Sequence, residues 1–444
     1  MMKNIFKKNF WIFVCVFLIM AVTVFAGGQT EKKENISVWH VWGGTRLPLM
    51  EKQIENFEKD HPGITVEHLL VDQNVLEEKY LTAISAGEPP EVMMVFGSSF
   101  FPRLVEKGAL LSLDEYIKED GIEGEKIFYK PDWETYIYKN KCYGLPLITG
   151  GGFYILFYDV DQFNEVGLDP QKPPKTWSEL EVYALKLTIK DGGKIERVGF
   201  DVNGMVDYPF KEWLFLNNGN LISNDRKKVL FDSPEGLQTL DWTVGFTDRL
   251  YGNYELLLPF TDRQIASGRY QHKGFYTGSI AMHAEGVWFF NMLAAEAPTK
   301  NLNAAEMPYN DRNSKAKVRH VFEGGWGYCI PTDAKNRDAA WEWLKYACIG
   351  QGAKDFFQAQ LRPSAVKEYT EDPYYAENNP FWDVVVASLE KSDLSPVLPV
   401  QPEINKVIIQ MTEEAILHKK SAKEAIEWGA AQAQKIVDEY WATQ

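Results

Sequence analysis

The chain has 444 residues, of which 45% are hydrophobic and 25% charged. This is an ordinary globular composition, too long for one compact core, so two or more domains are expected. The formal net charge of −15 at pH 7 gives an acidic surface that repels phosphate backbones, which excludes nucleic acid as the expected partner.

At the N-terminus, Lys3, Lys7 and Lys8 precede an apolar run from Phe10 to Phe25, and Val24 and Ala26 are small residues at the −3 and −1 positions of a cleavage site. Residues 1–26 therefore read as a secretory signal peptide. A retained anchor is the alternative, disfavoured because the run falls short of the ~20 residues that span a bilayer. Removing the segment takes away three lysines and no acid, so −15 becomes −18. A polar spacer follows at 27–34.

"NISVWHVWGG" reads as a strand ending in glycines, and Leu47, Met50, Ile54 and Phe57 then recur at helical spacing up to "HPG". "ITVEHLLV" alternates as a strand, Leu76, Tyr80 and Ile84 share a helical face before Gly87, and "EVMMVF" is a continuous apolar strand. Strand, helix, strand, helix, strand is the signature of an α/β fold, a parallel sheet covered by helices. Ligands of such sheets sit beyond the carboxyl ends of the strands. Those ends carry Trp42, Gly43 and Gly44, then Phe96, Gly97, Ser98 and Ser99.

A second α/β unit begins near "YGLPLITGGGFYILFYD", where Gly150, Gly151 and Gly152 read as a hinge before the strand Phe153–Asp159. Thr176 and Glu179 form a capping box ahead of a helix lined by Leu180, Tyr183, Ala184 and Leu187. Ser233 with Pro234 opens another helix, and Ser421 with Glu424 caps the last one.

Three cysteines remain after the signal: Cys142, Cys329 and Cys348. Their odd number and spacing favour buried free thiols, with one disulfide left open. The 7 histidines show no H-E-x-x-H spacing, so neither a metal nor a cofactor is expected. No G-x-S-x-G elbow, Walker loop or dinucleotide fingerprint appears, so the chain does not read as an enzyme. Of 14 tryptophans, three stand at glycine-marked strand ends: Trp42 before Gly43, Trp288 after Gly286 in "SIAMHAEGVWFF", and Trp326 after Gly324 and Gly325. Flat aromatic faces with polar neighbours suit sugar rings, although large rings also fill cores. Trp177, Trp341 and Trp343 read as structural.

The strings "ISVWHVWGG", "FEKDHPGITVE", "LTAISAGEPPEVMMV", "KGALLSLDEYI", "CYGLPL", "ILFYDVDQFNEVGLDPQKPPKTWSELEVYALKLT", "GSIAMHAEGVW", "GGWGYCIP" and "AAWEWLKYA" follow one another over nearly the whole mature chain. In this order the chain resembles the carbohydrate-binding extracellular solute-binding proteins of ABC importers, the group that includes maltose-binding proteins. The resemblance implies a two-lobed periplasmic-binding-protein fold with a hinge and an interlobe ligand cleft. It implies lobes at 35–150 with 280–318 and at 151–279 with 319–444, with the "SIAMHAEGVW" segment returning to the first lobe. It further implies a non-catalytic, monomeric periplasmic receptor whose partners are a mono- or oligosaccharide and the membrane permease.

By the same matching, Trp42, Gly43, Phe96 and Ser98 border the cleft from the first lobe, and Phe210 and Trp213 from the second. Gly286, Trp288, Gly324, Gly325 and Trp326 fall at the crossings, and Arg362 lies near the rim. Glu91 and Asp159 depart from the family pattern, and Ser98–Ser99 and "LPVQPEINK" stand where maltose binders carry charged groups and aromatics, which argues against maltodextrin as the ligand. Three rival readings remain. One is a phosphorylated polyol such as glycerol 3-phosphate, with Arg46 and Arg103 as cationic candidates. Another is a glycoside-active enzyme using acids such as Asp207, Glu285 and Glu323. The last is an adhesive surface protein that keeps its N-terminal segment.

Overall fold

The computed structural model describes residues 33–97, 100–149, 153–205, 209–260 and 272–444. The signal segment, nearly all of the spacer, Ser98, Ser99, the three hinge glycines and Asp207 lie outside the described residues.

The first lobe is built on a five-stranded sheet in the order Ile64–Leu70, Glu34–His40, Val92–Phe96, Trp326–Cys329, Leu145–Pro146. The first three strands are parallel, as their alternation with helices predicts, and the last two join antiparallel. Val92, Met93, Met94 and Val95 are all buried, because helices cover both faces of a parallel sheet. The helix Leu47–Asp60 turns Met50, Ile54 and Phe57 inward, and Trp343 of the helix Arg337–Cys348 meets Phe57 edge-on at 5.1 Å. Cys142, Cys329 and Cys348 are buried free thiols, so the disulfide left open by the sequence does not form.

The second lobe has a three-stranded sheet with Tyr154–Asp159 at its centre, every residue of which is buried. Met282–Gly286 and Leu302–Glu306 flank it, both antiparallel. Trp177, Trp213 and Trp242 pack on one face, and Phe153, Phe157, Phe289 and Trp382 on the other. A further core joins the helix Pro234–Tyr251 to the C-terminal helices Gln401–Ile416 and Ala422–Ala442. The predicted caps form: Ser421 and Glu424 make a full capping box, Ser233 accepts from Gly236, and Thr176 accepts from Glu179. The Glu179 carboxylate accepts from the Lys175 N–H, one residue before its expected partner.

The expected lobe boundaries need correction. Residues 280–318 do not return to the first lobe, since Met282–Gly286 hydrogen-bonds to Tyr154–Asp159. The return comes later, when Trp326–Cys329 inserts between Val92–Phe96 and Leu145–Pro146. Val366 still packs in the first core, whereas Tyr375 packs in the second, so the chain passes between lobes a third time there. Both candidate strands are short segments with glycines at or beside them. Only the identity of the hydrogen-bonded neighbour separates them, and that is a long-range choice.

The second crossing depends on Gly324, whose φ of 122° is open to glycine and strained for other residues. A β-carbon there would lie 2.8 Å from Thr135 Cγ2 and 3.1 Å from the Gly97 backbone. Gly324→Ala should lower stability by about 1–3 kcal/mol. Urea unfolding of the mature chain checks this, and an unchanged midpoint would contradict the strained crossing.

Candidate functional site at the junction of the lobes

Two tryptophans, one from each sheet, converge on one arginine. Trp42 follows the first strand, with its backbone N–H donating to His40 Nδ1 at 3.1 Å and its ring against Phe356 at 5.6 Å. It is 2% exposed. Trp288 leaves the end of Met282–Gly286 and folds back over the glycine, so a β-carbon on Gly286 would lie 2.2 Å from the indole. The glycine is therefore required by the close approach of the ring, which stays half-buried and meets Tyr154 edge-on at 6.3 Å.

The third member comes from the loop after the helix Gln351–Gln358. Leu361 adopts a φ of 47°, a left-handed conformation that is uncommon for leucine and marks a loop held in place by its surroundings. The Arg362 N–H donates to the Phe357 carbonyl at 3.1 Å, and that of Ala365 to Leu147 at 3.2 Å. From the second lobe, Asn291 Nδ2 donates to the Gln360 carbonyl and the Tyr375 hydroxyl to the Arg362 carbonyl, both at 2.9 Å. The Arg362 guanidinium is thereby carried to 5.7 Å from the Trp42 ring and 6.0 Å from the Trp288 ring.

Arg362 is buried and its Nε has no hydrogen-bond partner. Among the described residues no carboxylate forms an ion pair with it. Burial, and then the nearby Arg46, both act against its charge. A guanidinium nevertheless keeps its proton inside proteins, so the charge persists and attracts an anion or a π-face. Arg46 stands 5.5 Å from the Trp42 ring.

A second cluster lies at the crossing. Phe96 and Trp326 are cross-strand partners with rings 5.1 Å apart, both half-buried. The Gly97 N–H donates to the Gly325 carbonyl at 2.9 Å, and the Tyr136 hydroxyl lies 2.8 Å from the same oxygen. An interlobe crevice of about 330 Å³ opens beside this cluster. Its walls are Phe101, Thr135 and Tyr138 from the first lobe, and Arg226, Glu323 and Pro396 from the second. A larger hollow of about 500 Å³, near Asp114, Trp133 and Cys142, belongs to the first lobe alone.

Phe210 and Trp213 do not join either cluster. The helix Pro209–Leu216 is buried from Phe210 onward, with Trp213 wedged between Trp177 and Trp242 and its Nε1 donating to the Val202 carbonyl at 2.8 Å. Burial of the whole helix, Lys211 and Glu212 included, makes it a core helix, and this corrects their expected place at the cleft. Gly43 borders Trp42, whereas Ser98 lies outside the described residues. Arg103 is committed to Glu77 at 2.6 Å and to the Pro399 carbonyl at 3.1 Å, so it is a structural tie rather than an anion site. Glu323 pairs with Lys211 at 2.8 Å and Glu285 is buried in the second sheet, so neither stands free as a glycosidase carboxylate, while Asp207 lies outside the described residues.

The bacterial extracellular solute-binding protein family model matches residues 43–347. The chain belongs to this family. Among curated relatives, it is 24% identical to a putative binding protein of Brucella abortus (strain 2308), over 88% of this chain and 90% of the relative. It is 21% identical to the sn-glycerol-3-phosphate-binding periplasmic protein of Pectobacterium atrosepticum, over 96% of each. Among solved structures, an ABC transporter solute-binding protein of Thermotoga lettingae bound with alpha-D-tagatose matches with a TM-score of 0.75 and 25% identity. That match covers 91% of this chain and all of the other. Members of the family are binding proteins, not enzymes, and this solute-binding protein shares their two-lobed fold.

Asp132, on the helix Lys130–Thr135 beside the first crossing, is a buried group the sequence reading passed over. Neither of its oxygens makes a hydrogen bond of good geometry, although the Thr149 hydroxyl is near. Burial raises its proton affinity well above that of an ordinary aspartate. Its folded-state value thus exceeds the unfolded value of about 3.9, and stability falls as pH rises through the window above that value. Asp132→Asn should stabilise the protein at pH 7 by about 1–3 kcal/mol, with the gain vanishing below about pH 4. Thermal unfolding across that range checks this, and a pH-independent loss would refute it.

Proposed function

We propose that the mature protein works outside the cytoplasm, in the periplasm, where it captures a mono- or oligosaccharide between its lobes and presents it to the permease of an ABC importer. The observation that carries this reading is the convergence of Trp42 and Trp288, from separate sheets, on one guanidinium. The half-buried Trp288 indole offers a face to the C–H groups of a sugar, the buried Trp42 backs the guanidinium, and the guanidinium N–H groups donate to the sugar hydroxyls. A ligand touching groups of both lobes stabilises their closed arrangement by its greater affinity for it, and no chemical step is needed. The similarity to a tagatose-bound relative supports the sugar class.

A second reading has its own observation. Among the described residues no carboxylate pairs with the buried Arg362, Arg46 stands at the same indole, and a relative is a glycerol-3-phosphate-binding protein. A phosphorylated polyol would complete that charge.

Titration of the mature chain with neutral sugars and with glycerol 3-phosphate, followed by tryptophan fluorescence and thermal shift, separates the two. Trp288→Ala should weaken binding of the true ligand by about tenfold or more, as loss of a buried aromatic anchor does. Arg362→Gln should abolish binding of a phosphorylated ligand while costing a neutral sugar about tenfold or less. Saturable binding of neither class, or unchanged affinity in Trp288→Ala, would overturn the assignment of the junction.

A further inference from the structure

Away from the tryptophan junction, three metal-ligating side chains meet inside the second lobe. His283 and Glu285 lie two residues apart on Met282–Gly286, so the strand's period of two points both to one face. His272 approaches that face from just before the helix Lys273–Thr277. His272 Nε2 is 3.4 Å and His283 Nε2 3.7 Å from Glu285 Oε2, and His272 Nδ1 is 3.0 Å from His283 Nε2. One donor atom from each residue falls within 4.8 Å of the others.

Glu285 is fully buried, and its two oxygens differ. Oε1 accepts from the Gly286 N–H at 2.8 Å, while Oε2 has no hydrogen-bond partner among the described residues and lies nearest the imidazoles. An orphaned carboxylate oxygen inside a protein is costly, and its separations from the nitrogens are long for hydrogen bonds. They suit a shared cation instead. Ligands at about 2.0–2.2 Å from a tetrahedral zinc ion stand roughly 3.3–3.5 Å from one another. Phe275, Tyr276 and Phe289 pack around the histidines, which supplies the dry shell common at such centres. His283 keeps 12% of its side chain exposed, leaving a way in for the ion and for a water as fourth ligand.

We infer that His272, His283 and Glu285 form a binding site for a divalent transition-metal ion of zinc type. Two neutral imidazoles and one carboxylate fit zinc, whereas magnesium and calcium prefer all-oxygen sites. The ion would tie the segment before Lys273–Thr277 to the strand that ends at Gly286, two residues before Trp288. Its role is structural, and it is independent of the ligand held at the junction.

The test uses the mature chain stripped with EDTA and titrated with zinc sulfate by calorimetry, with bound metal counted by mass spectrometry. One zinc per chain is expected, with a rise in unfolding temperature. His283→Ala and Glu285→Gln should each weaken binding at least tenfold and lose that rise, while His418→Ala, at an exposed histidine, should leave both unchanged. Should either variant fail to fold, cobalt(II) added to the wild-type chain decides, since a four-coordinate centre shows intense visible d–d bands. Absence of stoichiometric zinc binding, equal affinity in wild type and folded variants, or absence of the cobalt bands would overturn the site.

Discussion

The two lobes are held together by a strand that is far from its partners in sequence. Trp326–Cys329 enters the first sheet between Val92–Phe96 and Leu145–Pro146, and everything near the cleft depends on that insertion. The insertion sets Trp326 against Phe96, requires the unusual backbone of Gly324, and returns the chain to the lobe from which Arg362 is presented. Parallel strands joined by helices could form the first lobe alone. A strand added late and antiparallel anchors the chain returning from the second lobe into the first sheet by backbone hydrogen bonds, which fixes register as well as proximity.

On that frame the tryptophans and Arg362 become one unit. Trp42 reaches the junction because the first strand ends there, and Trp288 because Gly286 lets its ring fold back. Arg362 reaches it because Asn291 and Tyr375 grip its loop from the other lobe. Contacts made from both lobes are the kind that a ligand-driven change in lobe spacing alters together. The buried, unpaired guanidinium gives the junction a positive centre in an otherwise acidic protein. Local and global charge thus point in opposite directions, as they do where a specific polar ligand is read.

Much of this was legible in the residues. The helix Leu47–Asp60, the continuous apolar strand Val92–Phe96 and the caps at Ser233 and Ser421 follow from spacing and capping chemistry, which act within a few residues. Trp288 was singled out as a cleft ring because of the nearby glycine, and the structure places its indole directly over Gly286. Trp213 was expected at the cleft but lies in the core, because an aromatic near a loop looks the same in sequence whether it enters a core or a cleft. Arg362 and Asp132 carried no local signal at all. Their importance lies in missing partners, and a missing partner is a property of three-dimensional surroundings.

By itself the sequence determined an α/β chain in two units, an apolar N-terminal run that reads as an export signal, an acidic surface, and tryptophans near glycines. These are consequences of composition and short-range periodicity. Only the tertiary structure decided that Met282–Gly286 belongs to the second sheet and Trp326–Cys329 to the first. It alone brought His272 to His283 and Glu285, and Arg362 between two indoles. Strand partnership and the burial of charge are settled by segments hundreds of residues apart, and their energies depend on neighbours that no local window contains.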